Sequence, residues 1–231
     1  MRDLFNGLMQ AMQLIVQGDP ELMRIVALSL RVTGTALLIS TLVGIPLGSW
    51  LGLSRFFGRR IVITLLYTGM GFPPVVVGLF VYLILSRSGP LGPLGWLFTP
   101  RAMIVAQTII SFPLVAGFTM AAVMGVDPNL RQQVLSLGAT NWQAALAVLM
   151  EARLGVVVAI IAGFGSIISE VGAVMLVGGN IQGATRVLTT AIVLETRKGV
   201  FDLAMALGII LLALSFLANT AMLRLQGRAF E

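Results

Sequence analysis

The chain has 231 residues, 58% of them hydrophobic and only 10% charged, with a mean hydropathy of +0.99; a water-soluble domain of this length needs far more polar surface. Cys and His are both absent, which excludes disulfides, thiol catalysis and Cys/His metal sites. The net charge of +6 comes from basic residues scattered at the ends of apolar blocks, where arginine heads reach lipid headgroups, so no nucleic-acid partner is expected.

Residues 1–18 carry Leu4, Phe5, Leu8, Met9, Met12, Ile15 and Val16 at a spacing that puts them on one helical face. The segment is too short and too amphipathic to span, and it lacks the small-residue cleavage pattern of a signal peptide. The first 20 residues are read as an amphipathic segment, either lying in the membrane surface or packed on its own bundle.

Five apolar blocks follow, each long enough for the roughly 20 residues that cross a bilayer as helix. They are Ile25–Leu53, Ile61–Ser86, Ala102–Val126, Leu154–Val177 and Leu203–Leu223. Gly44, Gly48 and Gly52 form a stripe on the first that lets two helix backbones approach closely. Pro73, Pro74 and Pro113 lie inside apolar spans and predict kinks. The stretch Ser86–Arg101 holds three Gly and three Pro and reads as a loop.

Residues 132–150 carry no charge, yet a sixth span is rejected. Gln132, Gln133, Asn141, Trp142 and Gln143 would each leave polar atoms in hydrocarbon. Asp127, Pro128 and Asn129 form a helix-start signal just ahead, so residues 127–153 are read as an amphipathic helical loop. With five spans, Arg55, Arg59, Arg60, Arg131, Arg153, Arg224 and Arg228 share one side. The bias of basic residues to the inner face then leans towards an external N-terminus and an internal C-terminus.

Glu170 interrupts the fourth block. A carboxylate deep in a span is expensive and faces a cavity or a partner. Ser166, Ser169, Glu170 and Ala173 fall at helical spacing and would form a narrow polar strip. Gly178–Gly183 breaks the helix, and Arg186–Thr196 reads as a short half-polar helix. The glycine-rich run 178–185 is no nucleotide cradle, because the pattern GxxxxGK followed by Ser or Thr occurs nowhere and the sole lysine, Lys198, follows no such loop. Its amides, with Asn180, Thr185 and Arg186, would suit an anion, but the loop alone favours an ordinary turn.

The string RQQVLSLGATNWQAALAVLMEAR at 131–153 resembles the cytoplasmic coupling loop of ABC importer permeases. Gly138 falls on that family's loop glycine and Ala139 follows as usual. Gln132 stands at the usual glutamate, Gln133 and Val134 at two alanines, and Glu151 where a proline is common. The stretches GFPPVVVGLFVYLILSRSGPLG (71–92) and ISEVGAVMLVGGNIQGATRVLTTAIVLET (168–196) resemble the molybdate/sulfate permease branch, the second being most like its tungstate-type members.

The resemblance implies an all-α membrane protein of about five transmembrane helices with the type I permease fold of ABC importers, forming one domain over 1–231. It implies a multi-pass chain in the cytoplasmic (inner) membrane of a bacterium or archaeon. Its partners would be a second copy in a homodimer, two ATPase subunits that bind ATP and Mg, and an external substrate-binding protein; no cofactor is expected in this chain. Residues expected to couple to the ATPase are Gln132, Gln133, Leu137, Gly138, Ala139 and Trp142. Those expected at the pathway or gate are Ser166, Ser169, Glu170, Asn180, Thr185, Arg186 and Thr189. The substrate would be an oxyanion, tungstate first, with molybdate, sulfate or another anion as alternatives. A tetrahedral dianion would be held by the hydroxyls and glycine amides and attracted by Arg186, while Glu170 would pair with an arginine or sit protonated near the gate. The different-class rival, a stand-alone ion-coupled carrier or channel, needs several intramembrane carboxylates, and only Glu170 qualifies.

Overall fold

A computed structural model describes residues 19–225 together with Met9, Met12 and Gln13. The amphipathic segment expected over 1–20 therefore lies almost wholly outside the described residues. Among the described residues the regular elements are helical: α1 (Pro20–Leu53), α2 (Arg59–Met70), α3 (Pro74–Leu85), α4 (Pro100–Met124), α5 (Pro128–Ser136), α6 (Asn141–Glu151), α7 (Arg153–Ile168), α8 (Gly172–Gly178), α9 (Leu188–Arg197) and α10 (Phe201–Leu225). Three of them, α1, α4 and α10, are each long and apolar enough to cross a membrane, and the number reaches five when the bent pairs α2 with α3 and α6 with α7 are each taken as one span, the latter beginning within the loop expected over 127–153 and ending before the expected Val177.

Two expected spans are not continuous helices. The second is interrupted at 71–73 between α2 and α3, because Pro73 supplies no backbone donor and both prolines push the residue before them out of helical geometry. Pro74 instead occupies the first turn of α3, where a missing N–H costs nothing. Pro113 sits inside α4 without ending it. The fourth span stops at Ile168 and resumes as α8 at Gly172.

The chain forms two compact units. The first comprises Met1–Ala36, Pro73–Gln107 and Ile167–Thr220. Its core joins Leu22 and Ile25 of α1 to Leu188 and Ala191 of α9 and to Leu207 and Ile210 of α10. Within it α3 lies directly on α8: a Cβ at Gly78 would stand 2.6 Å from the Ala173 Cα. The glycine-rich loop expected over 86–101 holds one short 3-10 turn at Gly92–Leu94, and it is tied down where Phe98 N donates to Val177 O at 2.9 Å.

The second unit comprises Leu37–Phe72, Thr108–Ser166 and Ala221–Glu231. Here the glycine stripe of α1 does what its spacing predicts. A Cβ on Gly48 would collide with the Ala116 carbonyl oxygen of α4, and one on Gly52 would reach 2.8 Å from Val123 Cγ1. Where the backbones approach this closely, Ser40 Oγ and Ser111 Oγ share a hydrogen bond of 2.5 Å. Leu51, Leu66, Ala116 and Met120 fill the core beside the stripe, and Val123, Val148 and Ala152 make a second cluster that fixes α6.

Gly48→Ala should therefore lower stability by about 1–3 kcal/mol through overpacking against backbone. Gly34→Ala, on the same helix with nothing within 4 Å of its added methyl, should be neutral or slightly stabilising. Thermal unfolding in detergent compares them; equal effects would remove the packing role of the stripe.

Candidate functional site

The break after α7 lies at the centre of the first unit's polar chemistry. Leaving helix at Ile168 strands backbone groups that water cannot serve in an apolar setting, and side chains take over. Gln107 Nε2 of α4 donates to Ile167 O at 3.1 Å. Thr189 Oγ1 of α9 donates to Glu170 O at 2.9 Å. The Glu170 carboxylate accepts from Ala173 N at 2.9 Å, closing the first turn of α8. The polar strip expected from Ser166, Ser169, Glu170 and Ala173 does not form, because no helix runs through 169–171. Ser166 instead donates to Gly163 O at 2.8 Å, and Ser169 is exposed in the break. Glu170 has no ion pair among the described residues, the pairs being Arg186–Glu21 and Lys198–Glu195, so the expected arginine partner is not there.

The loop from Gly178 to Val187 is similarly closed on itself. Gly179 and Asn180 adopt left-handed backbone, with φ of 72° and 51°. Thr185, fully buried, donates from Oγ1 to Gly178 O at 2.6 Å and accepts from Ile181 N at 2.9 Å. Asn180 Nδ2 reaches Thr190 O at 3.4 Å, while Thr190 Oγ1 donates to Val187 O at 3.0 Å. The hydroxyl protons of Ser166, Thr185, Thr189 and Thr190 are thus committed to backbone carbonyls. The anion cradle expected from these donors is not formed in this conformation.

A cationic cleft does exist in this unit. It has a volume of about 670 Å³ and is lined by Glu21, Arg24 and Arg31 of α1, Pro100 of α4, Gln182, Gly183 and Arg186 of the loop, and Asp19, which caps α1 by accepting from Leu22 N at 2.8 Å. Arg24, Leu28 and Arg31 recur at helical spacing and share a face. Glu21, on the next turn, accepts from Gln182 Nε2 at 2.6 Å and lies 3.6 Å from Arg186 Nη1. It partly neutralises Arg186, whose side chain is 15% exposed. Arg24 and Arg31 are exposed and have no ion pair among the described residues. Unpaired like charges in a walled cleft raise the local concentration of anions. Arg186 was expected at such a place; Arg24 and Arg31 were missed, although the seven-residue spacing was a readable sign. Also missed were Gln107 and Ser29. Ser29 Oγ accepts from Leu188 N at 2.9 Å and anchors the start of α9 to α1.

In the second unit, α5 and α6 form a stiff turn. Asp127 caps α5 by accepting from Asn129 N at 2.9 Å, as the start signal predicted. The helix ends in a 5→2 and 6→1 pair of bonds, Gly138 N to Leu135 O at 3.0 Å and Ala139 N to Val134 O at 3.3 Å. That ending needs positive φ, and Gly138 has +90°. Thr140 then opens α6 with a reciprocal cap to Gln143. The turn displays apolar side chains to the outside: Leu137 is 87% exposed and Trp142 72%. Gln132, Gln133 and Gly138 are also exposed, and Ala139 is half-buried.

The capping geometry predicts that Glu170→Gln, which keeps an oxygen acceptor for Ala173 N, leaves stability and transport close to wild type. Glu170→Leu removes the cap and should cost about 1 kcal/mol, read as a fall of roughly 2–4 °C in thermal unfolding. A large transport defect in the glutamine variant would instead require the negative charge itself.

Residues 44–230 match the family model of the binding-protein-dependent transport system inner membrane component. A probable anion ABC transporter permease of Haloferax volcanii is 46% identical over 212 residues, which cover 90% of this chain and 91% of the relative. A tungstate uptake system permease of Peptoclostridium acidaminophilum is 40% identical over 226 residues, covering 98% of this chain and 99% of the relative. In fold, the chain is similar to a subunit in a solved bacterial ABC transporter involved in import of the acidic polysaccharide alginate, with a TM-score of 0.72 at 23% identity, over 91% of this chain and 80% of that one. Several apolar helices arranged in this fold make it a multi-pass integral membrane protein, and the chain belongs to the family of binding-protein-dependent transport system inner membrane components.

Proposed function

We propose that this chain is the permease subunit of an ABC importer for an oxyanion, tungstate before molybdate. The observation that carries the reading is the pair of unpaired arginines, Arg24 and Arg31, in a cleft of a chain whose relatives are an anion permease and a tungstate permease. A tetrahedral dianion delivered by an external binding protein meets Arg24, Arg31 and Arg186 first. Attraction here must stay weak, because an ion held tightly cannot leave; selectivity then rests mainly with the binding protein. Onward passage requires the Thr185 and Thr189 hydroxyls to exchange carbonyl partners for the anion, with Ser166, Ser169 and Asn180 beside them along the route. That exchange belongs to a second conformation reached by rocking of packed helices.

The drive for that switch comes from elsewhere in the assembly. Two such chains form a homodimer, and two ATPase subunits hold ATP and Mg and grip the 127–153 segment on the cytoplasmic side of the inner membrane. Exposed Leu137 and Trp142 suit an apolar groove on the ATPase, and Gln132 and Gln133 add neutral hydrogen bonding at the edge.

Two measurements test the proposal. In proteoliposomes holding the permease with its ATPase, tungstate-loaded binding protein should stimulate ATP hydrolysis. Arg24→Gln with Arg31→Gln should reduce that stimulation roughly tenfold at low salt and less at high salt. Stimulation by none of tungstate, molybdate and sulfate would refute the oxyanion reading. Separately, Trp142→Ala should weaken ATPase binding by about tenfold or more while leaving thermal unfolding unchanged; normal ATPase affinity would move the docking site off α6.

A further inference from the structure

The second unit contains another arginine cleft, which borders the proposed ATPase-docking segment at Gln132 but whose arginines have no role in the transport reading. It measures about 880 Å³ and runs between the linker after α1 and the first turns of α5, with Ser54, Arg55 and Arg59 on one side and Asp127, Arg131 and Gln132 on the other. Arg59 is held in place, its Nε donating to Leu51 O at 2.9 Å and its Nη2 to Met124 Sδ at 3.5 Å. Arg131 Nη2 donates to Asn141 Oδ1 at 3.4 Å, yet its Nε is buried without a hydrogen-bond partner. Arg55 is exposed. None of the three has an ion pair among the described residues. The one carboxylate lining the cleft, Asp127, is occupied in capping α5. Beside the cleft the linker carries Phe57 wholly exposed, next to Phe56 stacked on Trp50 at 4.7 Å. Aromatic rings next to arginines are the composition of a membrane–water boundary.

We infer that this cleft binds a phosphate-type oxyanion, bridging Arg55 and Arg131 and so fastening the linker to α5. Two sources carry that chemistry: the headgroup of an anionic phospholipid and free phosphate in solution. Guanidinium groups suit both, since their planar donors match phosphate oxygens two at a time. Phe57 at the rim favours the lipid, whose acyl chains would cover it. The site is independent of which anion is transported, and its occupancy would stiffen the segment that leads into α6.

The test is thermal unfolding of the full chain in nanodiscs. In phosphatidylcholine containing phosphatidylglycerol the wild type should melt roughly 5 °C higher than in phosphatidylcholine alone, the shift expected for a site near saturation. Arg55→Gln and Arg55→Gln/Arg131→Gln should lose most of that shift, and Arg60→Gln, whose side chain does not line the cleft, should keep it. Arg55 makes no hydrogen bond among the described residues, so its single replacement does not threaten folding. If inorganic phosphate restores the shift in phosphatidylcholine alone, the site takes a free oxyanion; if only phosphatidylglycerol works, it takes a headgroup. Equal shifts in wild type and Arg55→Gln would overturn the proposal. So would a loss of ATPase binding by Arg55→Gln in detergent without phosphate or lipid, since the cleft would then serve the partner protein.

Discussion

Backbone groups cut off from water must find partners, and the polar chemistry of this protein follows from where its helices stop. A continuous helix satisfies its own N–H and C=O groups, whereas an interruption in an apolar setting strands them at a cost of several kcal/mol each. At 169–171 the replacements come from three separate places in the chain. Gln107 serves the Ile167 carbonyl, Thr189 serves the Glu170 carbonyl, and the Glu170 side chain serves the Ala173 amide. Polar side chains that look out of place in apolar segments are thereby explained as substitutes for missing helix. Glu170 in particular closes a turn, which gives a carboxylate reason to be there without a counter-ion or a substrate.

The same constraint shapes what a transport cycle can do. Hydroxyls that stabilise the loop by donating to carbonyls are the donors an anion would need. Each such bond is worth about 1 kcal/mol net and a bond to a charged acceptor about 1.5–3 kcal/mol, so exchanging one for a bond to a dianion offsets part of the cost of the carbonyl left behind. A loop held by several small, exchangeable bonds can have two arrangements of similar energy, and the balance between them is open to a modest external bias. Thr185 is doubly bonded and fully buried. Asn180 is held by one long side-chain bond of 3.4 Å.

Much of the fold was legible because it depends on patterns local to one helix. The first, third and fifth apolar blocks, the Gly44–Gly48–Gly52 stripe and the Asp127 start signal each need only a few turns of context, and the structure bears them out. The breaks were harder. Pro73 and Pro74 announced a disturbance but not a full stop, and the interruption at 169–171 was hidden because Glu170 within an apolar run reads as a charge inside a helix. The arginine cleft needed contacts across the chain: Gln182 and Glu21 meet over a separation of 161 residues, and no periodicity in α1 alone says what faces Arg24 and Arg31. The hydroxyls of Ser166, Thr185 and Thr189, expected at a pathway, have backbone carbonyls as partners, and such partners carry no signature in sequence.

The α5–α6 turn shows how far local signals alone can specify a working part. Gly138 supplies the one positive φ that lets the last amides fold back onto α5, and Thr140 with Gln143 sets the next helix immediately afterwards. Only Gly138 and Ala139 separate these two caps, and both amides are hydrogen-bonded back to α5, which limits the play between the short helices. From there α6 runs into Val148 and Ala152, which pack with Val123 at the end of α4, and α6 turns through 67° into α7. A push on exposed Leu137 or Trp142 therefore reaches the α4 side chains through close-packed contacts, because a core at crystal-like density moves as a body rather than yielding locally. Had Gly138 been replaced by a residue that avoids left-handed backbone, the turn would loosen and such a displacement would dissipate in the loop, even though nothing packs against the glycine.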